Sequence, residues 1–121
     1  MTADDQGPDG DELLAILAAL ANPHRLRILA ALAEGREYVS RLARRMGISR
    51  PLLHMHLKRL EAAGLVVGNL ELSKEGKAMK YYEAAPFALT ITPAVIGTAA
   101  RTLTASGADD RPAPEPEQAG R

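Results

Sequence analysis

Residues 40–64 read SRLARRMGISRPLLHMHLKRLEAAG, and this stretch decides the fold. Ser40 is placed to cap a short helix, RLARRM, with Leu42 and Met46 facing inward and Arg41, Arg44 and Arg45 facing out. Gly47 suits the left-handed residue that ends such a helix, and Ile48 fills the corner. Ser49 then caps a longer helix that stops at Gly64. Two capped helices joined by a short glycine-containing turn are a helix-turn-helix signature.

The longer helix carries the functional information. Advancing about 100° per residue from Leu53, Leu57 and Leu60 fall within roughly 40° of it, so these leucines line a buried face. Pro51, His54, Met55, Lys58 and Ala62 fall on the opposite side, and Arg50 sits at the edge of the buried face. An exposed stripe of Pro, His, Met and Lys is poor for solubility but suits a helix lying in a groove. Met55 and Pro51 can meet thymine methyls or sugar edges, His54 can bond a base or a phosphate, and Lys58 can pair with phosphate.

Upstream, DELLAILAALA starts a helix with Asp11 as its expected cap. Leu13, Ile16, Leu17 and Leu20 form its stripe, extended by Leu14, Ala18 and Ala21. A helix so apolar is central to the domain or lies in a subunit interface. Asn22-Pro23 caps and opens a second helix, HRLRILAALAEG, with Leu26, Leu29, Ala30 and Leu32 inward and Gly35 as its stop. Downstream, LVVGNLELS and KAMKYYEA read as a hairpin around KEG, with a bulge or break at Gly68-Asn69, and FALTIT offers a third short strand. Thr92-Pro93 opens a last helix with Val95, Ile96, Ala99 and Leu103 on one face. The fold class expected is therefore mainly α with a small β-hairpin. One domain at 11–105 lies between an acidic arm at 1–10 and a tail at 106–121, both read as disordered.

The chain has 121 residues, enough for one domain and little more. Fifteen basic and fifteen acidic side chains cancel, but they are segregated. Residues 1–12 hold five acids and no base, whereas Arg36 to Arg59 hold seven bases against Glu37. A basic block within a helical domain is the footprint of a polyanion binder. No apolar run approaches the roughly 18 residues of a membrane span, and the acidic start does not read as a signal peptide, so a cytoplasmic protein is expected.

The absence of cysteine excludes disulfides, thiolate metal sites and a cysteine nucleophile. His54 and His56 are about 200° apart on a helix and cannot chelate one ion. His56 reads as a hydrogen-bonded structural histidine and His24 as a solvated or interface residue. A nickel or zinc site shared between subunits, or built with the acidic arm, is the metal alternative. No phosphate loop, HExxH or GxSxG is present, so no enzyme activity is expected, and Tyr81 and Tyr82 read as hairpin packing.

Three strings, ANPHRLRIL at Ala21–Leu29, VSRLARRMGIS at Val39–Ser49 and PLLHMHLKRLEAAGLV at Pro51–Val66, resemble the ArsR-type winged helix-turn-helix regulators of bacteria, over about residues 13–83. The resemblance implies a homodimer paired through the terminal helices, with Leu13, Leu14, Leu17, Val95, Ile96, Ala99 and Leu103 at the interface. It implies double-stranded DNA as partner, with Ser49, Arg50, Pro51, His54, Met55 and Lys58 as readers. Lys74, Lys77 and Lys80 become the wing's phosphate contacts, and Ser40, Arg44, Arg45 and Arg59 complete the candidate set. Two departures stand out. The third helix lacks the cysteine pair of metal-sensing relatives, and residues 93–105 contain no His, Asp or Glu ligand. Within the family the chain resembles a nickel-linked regulator of a superoxide dismutase gene, which implies sensing shared with a separate sensor protein. The rival from another class is a protein–protein adaptor that uses the same fold without DNA.

Overall fold

A computed structural model describes residues 7–104. The expected tail at 106–121 and residues 1–6 of the expected acidic arm lie outside them. The elements run α1 (Gly10–Leu20), α2 (Pro23–Ala33), β1 (Glu37–Tyr38), α3 (Val39–Met46), α4 (Arg50–Ala62), β2 (Val66–Leu72), β3 (Ala78–Ala84) and α5 (Pro93–Ala100). They form two compact units: Leu14–Leu89, and the described residues before Leu14 together with those after Leu89. Among the described residues no single helix is long and apolar enough to cross a membrane.

Three helix starts follow the capping chemistry of the sequence. Asn22 Oδ1 accepts from the amides of His24 and Arg25 at 2.8 and 3.2 Å. Ser49 Oγ accepts from Leu52 at 3.2 Å, and Thr92 Oγ1 from Val95 at 3.1 Å. Two starts differ. α1 is capped by Asp9 and not Asp11, because Asp9 and Glu12 exchange bonds of 2.8 and 2.9 Å between side chain and amide, a reciprocal capping box. Ser40 is the second residue of α3 and no cap; the chain passes from β1 straight into the helix at Val39, and Tyr38 makes no capping bond.

The core of the Leu14–Leu89 unit gathers Ile28, Leu42, Leu53, Leu57 and Leu60, all wholly shielded from water, around Leu65, Val66 and Tyr82. α2 presents Arg25, Ile28, Ala31 and Leu32 to it with Leu29 packed alongside, so Leu32 and Leu29 face inward as expected, whereas Leu26 and Ala30 are exposed. The reason is Arg25, whose hydrogen bonds let a charged residue occupy an inward position, as described below.

The sheet is antiparallel in the order β1-β3-β2. Its hairpin register runs without a slip from Val66 opposite Ala84 to Leu72 opposite Ala78, so the bulge expected at Gly68-Asn69 does not form. Gly68 instead makes room for an aromatic ring, since a Cβ there would lie 2.7 Å from Tyr82 Cε2. The third strand is Glu37–Tyr38 and not FALTIT, because β1 takes the edge of β3 opposite β2.

In the other unit, Gly10 N–H donates to Thr102 Oγ1 at 2.7 Å, and Thr104 donates to Asp11 through its amide at 3.1 Å and its hydroxyl at 2.7 Å. Leu13 and Ala99, expected to face a partner subunit, are already 5% and 4% exposed within one chain. Surface withdrawn from water in the monomer cannot be covered again, so both leave the interface set.

Candidate nucleic-acid interface

The sequence of α4 divides it into two faces with different chemistry. Leu53, His56, Leu57 and Leu60 turn inward, and the leucines pack into the core. Pro51, His54, Met55, Lys58 and Arg59 lie on the exposed side, with Met55 at 45% although it is apolar. A methionine so exposed gains little from folding and is free to meet an apolar groove edge. The Ser49 side chain is engaged in capping and fixes where this helix begins.

The charged side chains around α4 are not equally free. Arg45 is engaged with Glu34 at 2.6 Å and Arg41 with Glu37 at 3.4 Å. Lys58 lies 3.9 Å from Glu61, a loose exposed pair that competes weakly with a phosphate. Arg44 and Arg50 have no ionic partner among the described residues.

The wing is the hairpin of β2 and β3. Its turn is closed by Ser73, which donates its amide to the Lys77 carbonyl at 2.8 Å and accepts the Lys77 amide on Oγ at 3.0 Å. Gly76 takes the left-handed backbone, φ 83°, that this turn needs. Lys74, Lys77 and Lys80 are exposed, and Lys80 Nζ sits 5.4 Å from the Tyr82 ring. A cleft of about 280 Å³ brings Arg50, Lys77 and Lys80 together beside Tyr38 and Ser40. Of the expected contacts, Arg50 from α4, Ser40 from α3 and two wing lysines meet there, while Pro51, His54, Met55, Lys58, Arg44, Arg45, Arg59 and Lys74 are not among the residues lining it.

Two groupings of functional interest go beyond the sequence reading, although His56 is the hydrogen-bonded inner histidine expected. On the outer side of the sheet, the Arg36 guanidinium lies 4.2 Å from the Tyr81 ring centre and 3.5 Å from Glu71, which also accepts from the Tyr38 hydroxyl. That hydroxyl, with Arg36 behind it, holds the Glu71 carboxyl below its usual range. The alternation of Tyr81 outward and Tyr82 inward was the available signal. The second group is Arg25, His24 and His56. Arg25 Nη1 is 3.0 Å from His56 Nδ1, and the His24 ring, expected in solvent or an interface, lies 5.3 Å from the His56 ring. Burial first, and then Arg25, His24 and Arg59, push the His56 pKa down. A guanidinium at that distance also opposes a metal cation. Among the described residues no three His, Cys, Asp or Glu side chains cluster to hold one.

The family model for bacterial regulatory proteins of the arsR family matches residues 22–67. An uncharacterized HTH-type transcriptional regulator of Methanocaldococcus jannaschii is 36% identical over 78 residues, covering 64% of this chain and 81% of that relative. The HTH-type transcriptional regulator CmtR of Mycobacterium tuberculosis is 41% identical over 63 residues, 52% of this chain, which thus spans only 50% of that relative's length. The solution structure of a homodimeric winged helix-turn-helix DNA-binding domain from Mycobacterium bovis aligns with a TM-score of 0.57 at 32% identity, covering 63% of this chain and 66% of that one.

Proposed function

The chain belongs to the arsR family of bacterial regulatory proteins, transcription regulators and not enzymes, and from that premise we propose that it binds a palindromic operator in double-stranded DNA as a homodimer. The observation that carries the reading is the division of α4. Leu53, Leu57 and Leu60 are wholly buried, while Pro51, His54, Met55 and Lys58 stand outward on a helix narrow enough for a major groove about 12 Å wide. Two such helices in one dimer enter successive major grooves about 34 Å apart. Arg50 reads from the first turn of α4, Lys77 and Lys80 take backbone phosphate beside it at the cleft that Ser40 also lines, and Arg44, Arg59 and Lys74 add outlying contacts. Arg45 contributes only by giving up Glu34.

Pairing uses the apolar side chains the monomer leaves uncovered: Leu14, Ile96 and Leu103, which are exposed, and Leu17 and Val95, which are half-buried. An effector acts by favouring one angle between the two heads, which requires unequal affinity for the two shapes. Among the described residues no three donor side chains cluster for a metal ion, and in this reading a nickel response is shared with a separate sensor protein. The organisation proposed is one domain at 11–105 with acidic ends, placed in the cytoplasm with the chromosome.

The test is binding of the full chain to duplexes selected from a random pool, followed by fluorescence anisotropy across a salt series. Affinity should fall steeply with salt, losing one step of slope for each phosphate contact removed. Arg50→Ala and Lys58→Ala should each weaken binding by about 1–3 kcal/mol. A double variant that binds its duplex unchanged removes α4 from the reading role. A chain that selects no duplex favours the adaptor.

A further inference from the structure

Arg25 is an inward-facing cation only 8% exposed, and its planar fork is divided among three acceptors on two other elements. Nε donates to the carbonyl of Ala19 at 2.6 Å and Nη2 to that of Ala18 at 3.3 Å, both near the end of α1. Nη1 lies 3.0 Å from His56 Nδ1, on the inner face of α4. A guanidinium can only donate, so Nδ1 must be the acceptor and the imidazole must be neutral with its proton on Nε2. That Nε2 is buried and has no hydrogen-bond partner. An unpaired buried donor is costly, and well-packed apolar residues of similar volume would avoid that cost. The arrangement therefore calls for a role beyond holding the core together.

We propose that Arg25 is a positioning residue for DNA reading: through neutral His56 it fixes the pitch of α4 against the carbonyl end of α1. The inference rests on α4 being the reading helix. It also gives a route by which a change at α1, one of the elements proposed to pair the subunits, reaches the DNA-facing surface without contact between effector and DNA. Protonation of His56 breaks the route, since an imidazolium N–H at Nδ1 would face a guanidinium N–H. The groups facing His56, namely Arg25 and His24 from α2 and Arg59 from its own helix, oppose the imidazolium and move that break to lower pH. His54, on the opposite face, works in the other direction, because its protonation strengthens attraction to phosphate. Comparison of wild type with a His56 variant isolates the inner histidine, as both retain His54.

The experiment uses the full chain, a duplex of about 30 base pairs selected by it from a random pool, and anisotropy from about pH 7.5 to about pH 5. Arg25→Lys keeps a charge but cannot fork to two carbonyls and an imidazole, and it should lose roughly tenfold or more in affinity. His56→Asn places an amide oxygen where Nδ1 stands and cannot titrate. It should flatten the component of the pH profile in which wild type loses roughly tenfold per unit below the His56 midpoint. Amide hydrogen exchange along α4 in the free chain supplies a readout without DNA, and it should speed up in Arg25→Lys while thermal unfolding stays cooperative. Wild-type affinity and exchange in Arg25→Lys, or an unchanged pH profile in His56→Asn, overturns the proposal. If no form binds a duplex but α4 exchange still accelerates in Arg25→Lys, the DNA reading falls and the mechanical link between Arg25 and α4 is supported.

Discussion

The Leu14–Leu89 unit and the unit built from the chain's described ends solve the same problem with different chemistry. In the first, leucines from α3 and α4 meet Ile28 and Tyr82 in a core that excludes water. In the second, Leu13 and Ala99 are the only buried apolar side chains among the described residues, and a polar clasp does the joining. Gly10 and Asp11 are held by Thr102 and Thr104, while Ile96 and Leu103 on the same unit remain exposed at 47% and 40%. A unit with so little buried surface cannot offset its ordering entropy by apolar burial within one chain. The difference separates a unit with a continuous apolar core from a terminal unit whose apolar residues are left largely uncovered within one chain.

Core truncation tests the first half of that contrast most severely. Leu57→Ala removes a wholly buried side chain from the inner face of α4, and it should destabilise the chain by about 2–5 kcal/mol in urea unfolding. A loss below about 1 kcal/mol would mean that the Leu14–Leu89 unit is not held by its core. Gly10→Ala tests the other half. A Cβ there would lie 2.2 Å from the Ala99 carbonyl oxygen, and backbone cannot swing aside as a long side chain does. The cost should be roughly 1–3 kcal/mol, with hydrogen exchange accelerating in α5 and unchanged in α4. An Ala variant as stable as wild type would show that the close approach of Gly10 to Ala99 is not maintained in solution.

The two units also differed in how far they could be read in advance. Around α4 nearly everything was legible, because heptad-like leucines, a serine cap and a proline in the first turn all point the same way. Elsewhere in that unit, single residues that break a pattern hide the structure from the sequence. Arg25 sits where an apolar residue belongs, and only its partners on α1 and α4, far apart in sequence, explain why α2 is rotated from its expected face. Strand choice failed for a similar reason. FALTIT has the right composition, yet Glu37–Tyr38 holds the place beside β3, and strand pairing at such separation leaves no local trace. In the terminal unit, periodicity locates the helices but cannot show which apolar residues one chain itself covers, as Leu13 and Ala99 are covered here.

The smallest effect expected is at Asp11, and it asks whether the clasp has a chemistry of its own. The Thr104 hydroxyl first, and then the Thr104 amide, bond the carboxylate and hold its pKa below the usual value of 3.8. A lowered carboxylate favours the folded form above its unfolded pKa, and that contribution disappears as pH falls through the lower, folded value. The clasp should therefore be intact at neutral pH and release only in acid below the ordinary carboxylate range. Thr104→Ala removes the hydroxyl but leaves the amide, so the Asp11 midpoint, followed by the NMR shift of its carboxyl carbon, should move only part of the way back. A full return would mean that the amide bond forms only when the hydroxyl holds Thr104 in place. No movement would mean that the clasp is not formed in solution, and the terminal unit would then depend wholly on a partner for its order.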